Sequence, residues 1–394
     1  MGYTFTRDDV AYLGSAAGTA ALTETDRLEL TPKSLLKDLD VLRRAFGDRA
    51  AALVETVRLR RRATAKLADA GEWLFTDDAL QQATPTAVAR HRAVRLAGRT
   101  VHDVTCSIGA ELVELARVCP AVIGSDLDRT RLEIAAHNVR TAASPVALGR
   151  NVVLVKADAL VPCSSAEVII ADPARRADGR RTHDPAKLQP PLPDLLAAYE
   201  GRDLAVKCAP GLDFDSLDWV GEVEVVSLDG AVREACLWSA GLAEPGVTRR
   251  ATVLSSDGPG WSLTDAEPDD IPEREPGEWI VDPDGAVVRA GLVRHYAAKH
   301  GLWQLDPRIA YLTGDKVPDG VRGFRILDRM EFREKPLRAA LHARDCGPLE
   351  ILTRGVDIDP DALRKALKPR GSQPHTLVVT RIGRAATVFI CATP

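Results

Sequence analysis

Between Thr100 and Pro210 the chain repeats one pattern: a short apolar run, a polar turn, then a helical stretch. The runs are TVHDVTC, AVIGSDLD, NVVLVKADAL, AEVIIADP and DLAVKCAP, with helices expected from Glu111 and from Arg129 to about Thr141. Strands joined by crossover helices make a parallel sheet covered on both faces, so an α/β, doubly wound fold is predicted. EVEVVSLDG, REACLWSA and TRRATVLSS follow without long helices between them. That ending predicts antiparallel closure at the far edge.

The flanks read differently. Leu35, Leu39, Leu42, Phe46, Leu53 and Val57 recur at steps of three, four or seven, the stripe of an amphipathic helix, with Thr31-Pro32 as its start signal. Residues 1–71 form an N-terminal helical region that ends in RLRRRATAK, either a solvated face or a phosphate-contacting surface. Residues 72–257 form the sheet domain, with a further helix from Thr84-Pro85, threonine as cap, to near Gly98. Residues 258–285 read as an acidic linker rich in proline and glycine, with a short strand around Trp279. Residues 286–394 read as a small α+β domain with helices at LVRHYAAKHGL and DPDALRKALK and strands TLVVTRI and ATVFICAT.

Composition excludes several classes. The chain has 394 residues, 45% of them apolar, which suits large soluble cores. No run approaches the roughly 18 apolar residues of a membrane span, and MGYTFTRDDV lacks the pattern of a signal peptide, so a cytoplasmic protein without membrane partners is expected. Seven scattered cysteines, with no C-x-x-C pair, argue against a disulfide framework and against a metal site. Residues 265–284 carry nine acids against one arginine, a local charge of −8 in a chain of −4, which leaves the remainder at +4.

In such a sheet ligands bind beyond the carboxyl ends of the strands. The first strand ends on Asp103, and the turn Thr105, Cys106 to Gly109 could line a cofactor, Gly109 letting the main chain approach it. No G-x-G-x-x-G is present, which disfavours a dinucleotide. The second strand ends in Asp126-Leu127, where an acid accepts hydrogen bonds from ribose hydroxyls; Asp128 either joins it or caps the next helix. The third ends in Asp158-Ala159, suited to an exocyclic amine of adenine. Acids at successive strand ends favour an adenosine-containing ligand. The fourth strand delivers Asp172-Pro173-Ala174-Arg175, where an aspartate can hold an acceptor amine and aim its lone pair.

Read in order, DVTCSIG, VIGSDLD, KADAL and IIADPAR resemble the motifs of class I S-adenosylmethionine-dependent methyltransferases, which have a doubly wound Rossmann-like sheet. EWLFTDDALQQATPTAVARHRA resembles the lead-in segment of trimethylguanosine synthases and related RNA guanine-N2 methyltransferases. ILTRGVDIDPDALRKALKPRG and TLVVTRIGRAATVFICA are similar to a THUMP-like domain attached to such cores. The resemblance implies S-adenosylmethionine as cofactor, with Asp103, Cys106 and Gly109 around its methionine part, Asp126 at the ribose, Asp158 near the adenine, and Asp172 and Pro173 presenting the amine. It also implies structured RNA as partner and transfer to an exocyclic amine of a base, guanine N2 first.

One departure stands out. Amino-methylating relatives carry an aromatic residue after Asp-Pro-Pro, whereas Ala174 and Arg175 stand here. Either the Arg175 guanidinium stacks on the base, or Trp73 and Phe75 fold over it. Arg175, Arg176, Arg180 and Arg181 are expected to meet phosphates, Lys207 to form the opposite wall, and Arg364, Lys365, Lys368 and Arg370 to add a second basic patch. Two other readings stay open: an RNA-binding module without chemistry, and a methyltransferase acting on a protein or small molecule.

Overall fold

The structure, a computed structural model, describes residues 3–142, 151–174 and 184–393, and the backbone at 176–177 and 180–181. The chain divides into two units. The first comprises Met1–Asp229, Arg233–Glu244 and Leu254–Pro259, the second Gly230–Val232, Pro245–Val253 and Gly260–Pro394.

The first unit opens with α1 (Arg7–Leu13), whose start is fixed by a capping box between Thr6 and Asp9, and α2 (Ala16–Asp26), capped by Ser15. The apolar stripe read as one helix is two, α3 (Leu35–Phe46) and α4 (Ala50–Ala63). Gly47, at φ 57°, turns the chain between them, and the seven-residue step from Phe46 to Leu53 had concealed that break. The start lies at Leu35, beyond the expected Thr31-Pro32. Of the arginines closing α4, Arg61 and Arg62 lie exposed, as the solvated-face reading had it, but they and the half-buried Arg60 also bond to the fold, Arg62 to Asp77. Arg60 donates to the carbonyls of Glu72 (2.6 Å) and Trp73 (2.8 Å), and Arg61 to those of Asp26 (2.7 Å), Leu28 (2.8 Å) and Glu29 (2.8 Å). They satisfy main-chain acceptors within the unit.

After α5 (Asp77–Gln82) and α6 (Thr86–Arg95) come β1 (Thr100–Asp103), α7 (Ala110–Val118), β2 (Ala121–Asp126), α8 (Arg129–Thr141), β3 (Val152–Lys156) and β4 (Val168–Ala171). The short pair β5 (Arg176–Ala177) and β6 (Arg180–Arg181), α9 (Leu192–Ala198), β7 (Asp203–Cys208), β8 (Gly221–Leu228) and β9 (Ala231–Ser239) follow. The strand order in this unit is β8-β9-β7-β4-β1-β2-β3. The pairings β3·β2, β2·β1, β1·β4 and β4·β7 are parallel, and β7·β9 is antiparallel. The chain leaves β1 for β2 on one side and returns to β4 on the other, which opens a crevice at the carboxyl ends of β1 and β4. Helix α6 begins after Pro85 rather than being capped by Thr84, whose hydroxyl is used elsewhere.

In the second unit β10 (Arg249–Leu254) and β11 (Trp261–Thr264) pair antiparallel. The remaining strands are β12 (Trp279–Val281), β13 (Trp303–Asp306), β14 (Ile309–Gly314), β15 (Gly323–Glu331), β16 (Cys346–Arg354), β17 (Gln373–Ile382) and β18 (Ala385–Ala392). They form a sheet of order β13-β14-β12-β15-β18-β17-β16. Residues 258–285, expected as a linker with one short strand around Trp279, supply that strand as β12, which lies between β14 and β15, and β11 besides. Helices α10 (Gly285–Arg289), α11 (Val293–His300), α12 (Glu334–Ala343) and α13 (Pro360–Leu367) complete the unit. Leu377, Val379, Val388 and Ile390 pack with Leu337, Leu341, Leu363 and Leu367 of α12 and α13, while Val378, Phe389 and Cys391 pack with Ile280, Tyr311 and Phe324. Alternate residues of two apolar runs thus fill two cores, which is why TLVV and VFIC are apolar at every position.

Candidate active site

The tips of β1, β2 and β4 are joined by their own side chains. Asp103, 4% exposed, accepts the Thr105 N–H at 3.0 Å, and the Thr105 hydroxyl accepts the Asp172 N–H at 2.7 Å. The turn after β1 places Ser107 in the left-handed region (φ 49°), and its N–H reaches Asp126 Oδ2 at 3.2 Å. Asp126 Oδ1 accepts the Asp128 N–H at 2.8 Å. Asp128 itself accepts the N–H groups of Thr130 (2.7 Å) and Arg131 (3.3 Å), so of its two expected roles the structure shows the helix cap.

These residues border a cavity of about 480 Å³. Asp103, Thr105, Cys106, Asp126, Leu127, Asp158 and Ala159 line it, and so do Asp172, Ala174 and Lys207. Cys106 is buried, and burial pushes its thiol well above the usual range, as expected of an inert lining group. Asp158 Oδ1 accepts the Leu160 N–H at 2.9 Å, which fixes the turn after β3.

Gly109 has a different reason to be glycine. It sits at φ +80° where α7 begins, and a Cβ there would meet the Cβ of Ala135 on α8 at 3.1 Å. Its close approach is to a neighbouring helix, and it is not among the residues lining the cavity. Pro173 is buried and Ala174 pairs with Gln189 through two main-chain hydrogen bonds, of 2.8 and 3.0 Å. Arg175 lies outside the described residues, and Arg176, Arg180 and Arg181 are described only as a two-stranded antiparallel pair.

Trp73 and Phe75 do not cover the site. They are 2% and 1% exposed, their rings stand 6.2 Å apart within the main core of the unit, and neither borders the cavity. Stacking on a base would require unpacking that core, so the expectation is corrected. Lys207 does line the cavity, but as a buried residue of the fold. Its side chain is 7% exposed, and its ammonium donates to the Thr84 hydroxyl at 2.8 Å, is hydrogen-bonded to Asp172 Oδ2, and lies 3.9 Å from Glu234.

Behind this pair runs a buried series of charges that the sequence reading missed. Glu234 on β9 is paired with Arg92 of α6, and Arg92 Nε lies 3.2 Å from Glu111 of α7. Burial alone would lower the Lys207 pKa, but the carboxylates of Asp172 and Glu234 outweigh it and raise the value above that of an ordinary lysine. Burial raises Glu111 against the pull of Arg92. Burial also pushes Asp103 up to about 7, with Glu111 and Asp172 adding to the rise and the Thr105 N–H and Lys207 opposing it. A signal was present: Glu234 interrupts the apolar strand REACLW, and a carboxylate inside such a strand requires a buried cation. Among the described residues no cluster of histidine, cysteine or acids has the arrangement of a metal site.

The chain matches the THUMP domain-like family over residues 321–393 and a domain of unknown function over residues 6–63. Relatives from two strains of Mycobacterium tuberculosis, CDC 1551 / Oshkosh and ATCC 25618 / H37Rv, are each described as an uncharacterized S-adenosylmethionine-dependent methyltransferase. Each is 54% identical over 363 residues, 89% of this chain and 99% of the relative. Among solved structures, a methyltransferase candidate from Porphyromonas gingivalis W83 covers 99% of this chain and 100% of its own, with a TM-score of 0.74 and 18% identity, a likeness of fold.

Proposed function

The chain belongs to the S-adenosylmethionine-dependent methyltransferases, and from that premise we propose that its acceptor is an exocyclic amine of an RNA base, guanine N2 first. The cofactor supplies a methyl group made electrophilic by its sulfonium. The cavity suits it by its donor set: carboxylates at three strand tips, and small or apolar Leu127, Ala157 and Ala159 between them. Asp126 would hold the ribose hydroxyls, Asp158 and Ala159 the adenine, and Asp103, Thr105 and Cys106 the methionine end.

The observation that carries the amine reading is Asp172. Its side chain is 40% exposed at the cavity, while the charged groups behind it are 3–11% exposed. One carboxylate oxygen is engaged by Lys207, and the other remains to accept an N–H from the acceptor. Holding the amine and orienting its lone pair is work of position, so no strong base is required. Guanine carries its exocyclic N2 amine on an open edge, where one N–H can be given to the remaining Asp172 oxygen. The THUMP-like domain supports RNA as partner, as do Lys365, Lys368 and Arg370; Arg364 is turned inward to the Leu349 carbonyl at 3.1 Å and to Asp361.

One observation favours a second reading. Among the described residues bordering the cavity there is no phenylalanine, tyrosine or tryptophan. An amine of a protein or small molecule needs no stacking surface.

The deciding experiment incubates the purified protein with methyl-labelled S-adenosylmethionine and RNA from cells lacking the gene, then digests the RNA to nucleosides. Label in N2-methylguanosine is expected, lost in Asp172→Asn by about 100-fold or more while S-adenosylhomocysteine still binds. Label in protein or small molecules instead moves the assignment to the second reading.

A further inference from the structure

The Asp172 carboxylate is held by a side chain with no other outlet. Lys207 lies on β7, beside β4, with Val206 in register with Ala171, so its side chain reaches the strand end where Asp172 stands. Its ammonium has one partner at the site, Asp172 Oδ2, one on the segment leading into α6, Thr84 Oγ1 at 2.8 Å, and a carboxylate behind, Glu234 Oε2 at 3.9 Å.

The charges around it are unequal. Asp172, Glu234 and Glu111 carry three negative charges when ionised, and Lys207 and Arg92 carry two positive ones. The excess is one negative charge, and four of the five members are too buried to be hydrated, so it belongs at the open member, Asp172. The other groups facing this series are Asp103 on β1, Lys66, and Arg233 on β9. Without the lysine, Asp172 loses the cation bonded to it, and behind it Glu234, Glu111 and Asp103 outnumber Arg92, with Lys66 and Arg233 acting on the series through space. Like-charge repulsion then turns the carboxylate outward.

We propose that Lys207 is the positioning residue of the transfer reaction: it clamps one oxygen of Asp172 and so aims the other at the point where methyl and amine meet. The proposal rests on reading Asp172 as the partner of the acceptor amine. Lys207 touches neither reactant in this role. Through Thr84 it also ties the part of the cavity lining that contains Ala79, Gln82 and Ala83 to that carboxylate.

The test requires no acceptor. Sinefungin carries an ammonium-bearing carbon where the cofactor carries its methylated sulfur, so the ratio of its affinity to that of S-adenosylhomocysteine reports a carboxylate aimed at that point. Both are titrated calorimetrically into the full-length protein. Asp172→Asn is expected to lower the preference for sinefungin about tenfold, the worth of one charge-assisted hydrogen bond. Lys207→Met is expected to lower it about as far, with S-adenosylhomocysteine affinity within about twofold of the parent, Lys207→Arg to recover part of it, and the double variant to lose nothing more. Should Lys207→Met fail to fold, Thr84→Val removes one anchor and is expected to lower the preference about twofold. A preference raised by Lys207→Met means that the ammonium only neutralises Asp172, and it overturns the proposal, as does an unchanged one. No effect of Asp172→Asn overturns this proposal together with the amine reading, whereas failure of RNA to accept methyl leaves it standing.

Discussion

Asp103 is buried at the end of β1 with one main-chain hydrogen bond to its carboxylate, and burial brings its pKa up to about 7. A carboxyl in that condition is neutral for part of the population near neutrality, and a cation brought against it favours the ionised form. With the α-ammonium of the cofactor placed there, binding releases a proton. We therefore expect affinity for S-adenosylhomocysteine to fall as the pH drops below about 7, approaching tenfold per pH unit, and Asp103→Asn to remove that dependence. Calorimetry in buffers of different ionisation enthalpy counts the protons directly; a binding enthalpy independent of buffer would place the ammonium elsewhere. Asp103, Asp126, Asp158 and Asp172 were legible because a strand end is a local fact, readable from one apolar run. The roles of Gly109 and Lys207 were not, because Ala135 lies 26 residues from the first, and Asp172 and Glu234 lie 35 and 27 residues from the second.

Elements are tied to one another by single polar side chains. Asn138 of α8 is fully buried, accepts the Leu74 N–H at 2.8 Å, and donates to the carbonyls of Leu74 (3.0 Å) and Ile108 (2.9 Å). It anchors both the segment leading into α5 and the turn leading into α7, and the second of these borders the cavity. Asn138→Ala strands one donor and two acceptors away from water and is expected to cost about 3 kcal/mol. Asn138→Asp keeps the shape, loses both donors and should cost more. Urea unfolding measures both; a loss under about 1 kcal/mol for the alanine variant would mean that Leu74 and Ile108 find other partners. The crossover pattern of the sheet was legible for the same reason as the strand ends, since each run declares its own period. The split between α3 and α4 was not, because a step of seven fits both an unbroken helix and a turn placed between two. Trp73 and Phe75 misled in the opposite direction, aromatic residues in a motif-like segment being read for chemistry when the core had claimed them.

Two neighbouring residues on β1 each couple folding to pH, in opposite directions. His102, 1% exposed, meets the hydroxyls of Ser164 (2.9 Å) and Ser125 (3.0 Å), and burial, with Arg202 adding to it, lowers its pKa from 6.5 to about 4. A histidine kept neutral in this way gives stability that is present above pH 6.5 and lost as the pH falls toward 4. Asp103 works the other way: with its pKa raised from 3.8 to about 7, it gives stability that is present below 3.8 and lost as the pH rises toward 7. Between about pH 4 and 6.5 the unfolded chain holds the proton on the histidine and the native chain holds it on the aspartate. The two states then bind equal numbers of protons at this pair, and its contribution to the slope of stability against pH is nil. Each single variant uncovers the other residue. Relative to the parent, His102→Gln should lose stability as the pH is raised through this window, by about 1.4 kcal/mol per unit, and Asp103→Asn should lose it at the same rate as the pH is lowered. Urea midpoints taken at half-unit steps from pH 4.5 to 6.5 read both slopes. Opposite signs are required, and slopes of the same sign, or none in either variant, would show that the pair does not exchange a proton on folding.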